Sequence, residues 1–153
     1  MMLTTYAGLP QAISASLVGL LTRLAQGRGP ALIQCTVGKD RTGFTVACVL
    51  RALGFGLDAI MEDYLLTRQH IDVVAMGPVT GAVLGELLGL QLRPECLAII
   101  NGVEPDYLLS AFDAIDRQHG SFDVYLRSLG IPSLVLDRLR QALLGAPSGK
   151  PDG

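Results

Sequence analysis

The chain has 153 residues, half of them hydrophobic and 17% charged, with 14 acids against 12 lysines and arginines. That length suits one domain with a sizeable core, and the apolar composition excludes intrinsic disorder, while a net charge of −2 without a basic run leaves no footprint for nucleic acid. Three cysteines and two histidines are too few and too scattered for a disulfide scaffold, a zinc ribbon or a histidine metal cluster, so a soluble, reduced, intracellular domain without a metal is expected.

Taken in chain order, the N-terminal stretch MMLTTYAGLPQAIS lacks a basic region followed by an apolar one. No secretory signal is expected there, and a cytoplasmic location is the expectation. Gln11 to Gln26 places Ile13, Leu17, Leu20, Leu21 and Leu24 at helical spacing and ends near Gly27. Arg28-Gly29-Pro30 reads as a turn, and the short apolar run Ala31 to Gln34 reads as a buried strand. Thr36 to Gly43 reads as a loop and Phe44 to Leu53 as an apolar helix stopped by Gly54. Asp58 is placed to cap a helix running through Arg68.

Val73 to Leu90 is apolar enough to be weighed as a membrane span, but Pro78, Glu86 and four glycines in a short stretch argue against it. A buried or lid-like helical hairpin is the better reading, with core packing expected over a lid or lipid contact. Pro105 to His119, Phe122 to Leu129 and Ser133 to Leu144 read as helices, the last capped by Ser133. Residues 145–153, GAPSGKPDG, read as a disordered tail behind a single domain over 1–144.

The segment ALIQCTVGKDRTGFTVACVL carries the chemistry. Cys35 is followed six residues later by Arg41, with Gly38 inside the loop and Thr42-Gly43 after the arginine. A strand leading through such a loop into a helix N-terminus lets backbone N–H groups converge on an anion. A cysteine at that positive helix end, beside an arginine, has its thiol pKa lowered toward the nucleophilic thiolate. The Arg41 guanidinium offers paired donors to phosphate oxygens. Backbone amides from Thr36, Val37, Gly38 and their neighbours would cradle the remaining oxygens. The expected reaction is attack of Cys35 sulfur on a phosphate ester, followed by hydrolysis of the phosphocysteine, with Thr42 bonding the departing sulfur.

These residues resemble the loop of cysteine-dependent protein tyrosine and dual-specificity phosphatases, and within them the bacterial group whose loop reads HC-x-x-GKDRTG. RALGFGLDAIMEDYLLTR and GVEPDYLLSAFDAIDRQHGSFDVYLRSLGI are similar to the same family's helical C-terminal half, so the likeness runs from Ala31 to Leu144. The resemblance implies an α/β fold of the dual-specificity type and a cofactor-free hydrolysis of phosphotyrosine. Phosphoserine, phosphothreonine or phosphoinositides come next. The partners would then be phosphoproteins or phosphoinositides, with Lys39 supplying charge for a polyanionic headgroup.

Two departures stand out. Gln34 occupies the place of the family's histidine. The general-acid aspartate that most tyrosine phosphatases draw from upstream has no counterpart, because the first acid in the chain is Asp40. Asp40 is therefore assigned as the acid, a role compatible with capping the following helix. Only 34 residues precede Cys35, so the resemblance implies an N-terminally shortened domain with a reduced sheet. The rival expectation is a catalytically impaired phosphate-binding module of the same fold.

Other residues receive plainer readings. Cys48 and Cys96 read as core, His70 and His119 as surface, and Tyr64, Tyr107 and Tyr125 as packing residues with wet hydroxyls. A nucleotide-binding Walker loop is excluded, because Ile33 stands where its first glycine belongs and Asp40 where its Ser/Thr belongs.

Overall fold

Apolar residues recurring once per helical turn set most of the architecture. The computed structural model describes residues 1–145. Among these residues the elements are α1 (Met2–Ala7), α2 (Leu9–Ala25), α3 (Asp40–Leu53), α4 (Leu57–Leu65), a 3-10 turn (Leu66–Gln69), α5 (Val73–Leu88), α6 (Pro94–Asn101), α7 (Pro105–His119), α8 (Phe122–Ser128) and α9 (Ser133–Leu144).

The stripe Leu9, Ile13, Leu17 and Leu21 on α2 is buried, and the helix packs along α9 and against α3. On α7 the buried face is Tyr107, Leu108, Ala111, Phe112 and Ile115, which meets α1 and α8. Phe44 of α3 meets Phe112 edge-on at 5.7 Å between centroids, and Phe112 meets Phe122 in the same way at 6.1 Å. The Arg51 guanidinium lies over Phe112 at 4.6 Å, closing this aromatic row with a cation–π contact. Each fully buried Leu or Phe here contributes about 1.5–3 kcal/mol of burial free energy.

Gly43 allows α3 and α4 to approach. A Cβ built on it would lie 3.1 Å from two ring atoms of Tyr64, closer than such contacts normally come. The glycine of the DRTG run is thus a packing requirement as well as part of the loop.

Several expectations need correction. No strand occurs among the described residues; residues 28–35 have no regular structure, and Leu32 is 84% exposed. Apolar content alone does not make a strand, since the backbone needs a neighbouring ladder, and every long apolar segment described here is helical. The sheet of the expected α/β fold therefore has no counterpart in this region. α3 begins at Asp40 rather than Phe44, because an acidic side chain in the first turn favours the positive helix end. Asp58 lies in the first turn of α4 behind Gly56 rather than at the cap, and Ser133 is the first helical residue behind Pro132.

The α5–α6 hairpin also departs from expectation. α5 is the most apolar of the longer helices yet has no buried residue, with Val74 85% and Leu87 75% exposed. It packs on α6, where Thr80 Oγ1 donates to Asn101 Oδ1 (2.8 Å), and core packing is thus not its role here. No single helix among the described residues is long and apolar enough to cross a membrane. Of the expected tail, residues 146–153 lie outside the described residues.

Candidate active site

The loop from Cys35 to Lys39 leads directly into the N-terminus of α3. Gly38 holds a left-handed φ of 75°, which a residue with a Cβ adopts at a cost. Residues 29–38 make no backbone–backbone hydrogen bond among the described residues. Their N–H groups remain available to an anion, in the manner of an anion-binding nest.

Cys35 is the anion nearest to hand. Partial burial pushes its thiol up, but the Thr42 hydroxyl and the backbone N–H groups of Thr42, Val37 and Gly38 outweigh that effect and bring it down to about 7. Among the described residues the buried Thr42 Oγ1 has no oxygen or nitrogen partner, and the Cys35 sulfur is the group it acts on. A thiolate, a better acceptor than a thiol, is the group that satisfies it.

Arg41 is exposed, and its Nη2 donates to Thr36 Oγ1 across the loop (3.3 Å). Thr45 Oγ1 donates to the Arg41 carbonyl (2.7 Å), fixing the first turn of α3. Beside the loop lies a cleft of about 300 Å³ lined by Ile13, Ser16 and Leu20 of α2 together with Leu32 to Cys35, Arg41 and Thr45. Two larger hollows belong to the α5–α6 hairpin and its connection and include none of the loop residues.

Lys39 turns the other way. Its side chain is 3% exposed, with Nζ paired to Asp40 Oδ1 and donating to the Gly102 carbonyl (3.0 Å). It sits inside the protein rather than toward the open face of the loop where a headgroup would enter. Asp40 Oδ1 also accepts from the Tyr6 hydroxyl (2.7 Å), and Tyr6 is hydroxyl-bonded to Tyr64 (2.8 Å).

The structure therefore gathers Cys35, Thr36, Val37, Gly38, Arg41 and Thr42 at one point, buries the Lys39 side chain and leaves Asp40 partly exposed beside it. Gln34 is exposed beside the cleft. Cys48 is fully buried, and desolvation raises its thiol pKa, so it stays neutral. The tyrosine hydroxyls expected to be wet are bonded inside: Tyr64 to Tyr6, Tyr107 to the Ile99 carbonyl (3.0 Å) and Tyr125 to the Pro10 carbonyl (2.8 Å). Tyr6 was not legible as part of the site, because its partner Asp40 lies 34 residues away and no local pattern links them.

Among the described residues no cluster of three or more His, Cys, Asp and Glu side chains could hold a metal. What the loop can do chemically is hold a thiolate beneath an anion bound by amides and a guanidinium.

The profile of the tyrosine phosphatase family matches residues 1–145, and the chain belongs to that family. Among individual proteins, it is 37% identical to the triple specificity protein phosphatase PtpB of Mycobacterium tuberculosis, over 82% of this chain and 48% of that one. It is 35% identical to a provisionally named tyrosine-protein phosphatase of Cupriavidus necator, over 82% of this chain and 44% of the relative. The chain thus spans just under half the length of these curated relatives.

Proposed function

We propose that this chain hydrolyses phosphomonoesters through a phosphocysteine intermediate, with phosphotyrosine the first substrate class and phosphoserine, phosphothreonine or phosphoinositides following. The observation that carries this is the Cys35 thiol, lowered to about 7 by donors of the same loop that presents Arg41. At neutral pH a substantial fraction of such a thiol is nucleophilic thiolate. The name of the mycobacterial relative, a triple specificity protein phosphatase, supports a substrate range wider than phosphotyrosine.

In the proposed reaction Cys35 Sγ attacks phosphorus from one side while the ester P–O bond breaks on the other. The Arg41 guanidinium and the amides of Thr36 to Arg41 take the charge that develops on the non-bridging oxygens. Asp40 gives a proton to the leaving oxygen and takes one from the water that attacks the phosphocysteine. In that second step Thr42 donates to the departing sulfur, the same interaction that helps lower the Cys35 thiol at rest. Lys39, held inside, acts on Asp40 rather than on substrate.

The test is turnover of an aryl phosphate at mildly acidic pH by the wild type and by Cys35→Ser. Activity that the substitution abolishes is the expected result. Retained vanadate binding without any wild-type turnover would instead mark a phosphate-binding module, and Gln34, which cannot become cationic, would be the first residue to examine.

A further inference from the structure

Tyr6 is fully buried in α1, and its hydroxyl sits between Asp40 Oδ1 (2.7 Å) and the Tyr64 hydroxyl (2.8 Å). A phenol has one proton to give. Tyr6 gives it to Asp40, so the proton between the two tyrosines comes from Tyr64, and the order Tyr64 to Tyr6 to Asp40 is fixed. The rings leave little freedom: Tyr6 stands edge-on to Tyr64 at 6.4 Å between centroids and tilts against Tyr107 at 5.4 Å. Desolvation raises the pKa of both Tyr6 and Tyr64, so both remain protonated donors.

We propose that Tyr6, backed by Tyr64, is a positioning residue that acts through Asp40: by occupying Oδ1 together with Lys39 it orients the carboxyl so that Oδ2 carries the proton. This rests on the reading of Asp40 as the general acid. Among the described residues Oδ2 takes no hydrogen bond, whereas Oδ1 takes two, from Lys39 Nζ and Tyr6 Oη. As the Sγ–P bond forms and the ester P–O bond breaks, the proton moves from Oδ2 to the ester oxygen. The negative charge left on the carboxylate is met by the two donors already on Oδ1. They are aligned before the reaction and need not reorganise during it. The contact also ties α1, at the start of the chain, to the first turn of α3.

The experiment compares wild type, Tyr6→Phe, Tyr64→Phe, Asp40→Asn and the Tyr6→Phe/Asp40→Asn double variant. The substrates run from phenyl phosphate, a poor leaving group, to dinitrophenyl phosphate, which departs without a proton. Tyr6→Phe is expected to lose about tenfold in kcat/KM on phenyl phosphate, the scale of one hydrogen bond to a charged group, and less than about twofold on dinitrophenyl phosphate. Tyr64→Phe, one bond further out, should lose less in the same direction. The double variant should be no worse than Asp40→Asn. Alkylation of Cys35 by iodoacetamide should match the wild type in both tyrosine variants.

An equal loss on both substrates, no loss, or a loss that adds to that of Asp40→Asn would overturn the role of Tyr6. If Asp40→Asn is selective for phenyl phosphate and Tyr6→Phe is not, the tyrosine proposal alone fails. If Asp40→Asn loses equally on both substrates, or the wild type turns over neither, the reading of Asp40 as the acid fails and takes this one with it.

Discussion

The two arms of the Leu32 to Thr45 segment are held in opposite ways. The arm before Lys39 makes no backbone–backbone hydrogen bond among the described residues and stands open, with Leu32 84% and Val37 50% exposed. The arm from Lys39 to Thr45 is fixed at every turn: Lys39 to Gly102, Asp40 to Tyr6, Thr45 to the Arg41 carbonyl, and the Gly43 N–H to the Lys39 carbonyl at 2.7 Å. The difference teaches how such a site divides its work. Amides that bind an anion must not already be hydrogen-bonded, and in the proposed reaction the unpaired arm is the one that binds. The arm that aims the arginine, the carboxyl and the hydroxyl must be rigid, because misplacement by a fraction of an ångström weakens transition-state contacts.

Substitutions on each arm sharpen that contrast. The largest effect should come from Arg41, an exposed side chain with one long hydrogen bond, to Thr36, among the described residues. Arg41→Ala should lower kcat/KM by roughly 10²–10³-fold, the scale of losing a charge-stabilising donor, while leaving the urea midpoint unchanged. Steady-state kinetics beside urea denaturation measure both. An equal loss of stability would show that the Arg41 side chain, like the backbone that carries it, is part of what holds the rigid arm.

For the buried side chain of the fixed arm the order reverses. Lys39→Met keeps the buried stem but removes the bonds to Asp40 and Gly102. It should cost roughly 1–3 kcal/mol of stability, the range for hydrogen bonds to a charged group, with the lower end favoured because Asp40 is partly exposed. Urea unfolding followed by circular dichroism reads this directly, and an unchanged midpoint would contradict the fixed arm.

The last effect is a pH slope. Folding lowers the Cys35 thiol from an ordinary value of 9.0 to about 7. The folded state therefore binds fewer protons than the unfolded one between those values, and stability from the thiolate grows as pH rises through that window. It is complete above the unfolded value and absent below about 7. The melting-temperature gap between wild type and Cys35→Ser should widen in favour of wild type from about pH 7 toward 9. A constant gap would show that the loop donors do not favour the thiolate.

Much of this was legible in the amino-acid order, for reasons that differ by residue. The Cys35 to Arg41 spacing, Gly38 and Thr42 specify the loop locally, and the one-per-turn stripes of α2 and α7 specify their buried faces. What local pattern could not show is pairing across the chain. Lys39 read as a substrate contact because nothing near it announces Gly102, which lies 63 residues away. Ala31 to Gln34 read as a strand and α5 as core because both are apolar, yet burial is decided by the neighbours a segment finds. Asp40 read as a loop residue able to cap the following helix, and it stands in the first turn of α3, where an acidic side chain favours the positive helix end.

The most direct measurement of the central claim is to quench the wild type in acid during turnover of an aryl phosphate and map any phosphate adduct by mass spectrometry. Phosphate is expected on Cys35, in an adduct that accumulates when Thr42→Val slows its hydrolysis. Turnover with no phosphate on Cys35 in either protein, or with the adduct on another residue, would contradict that claim.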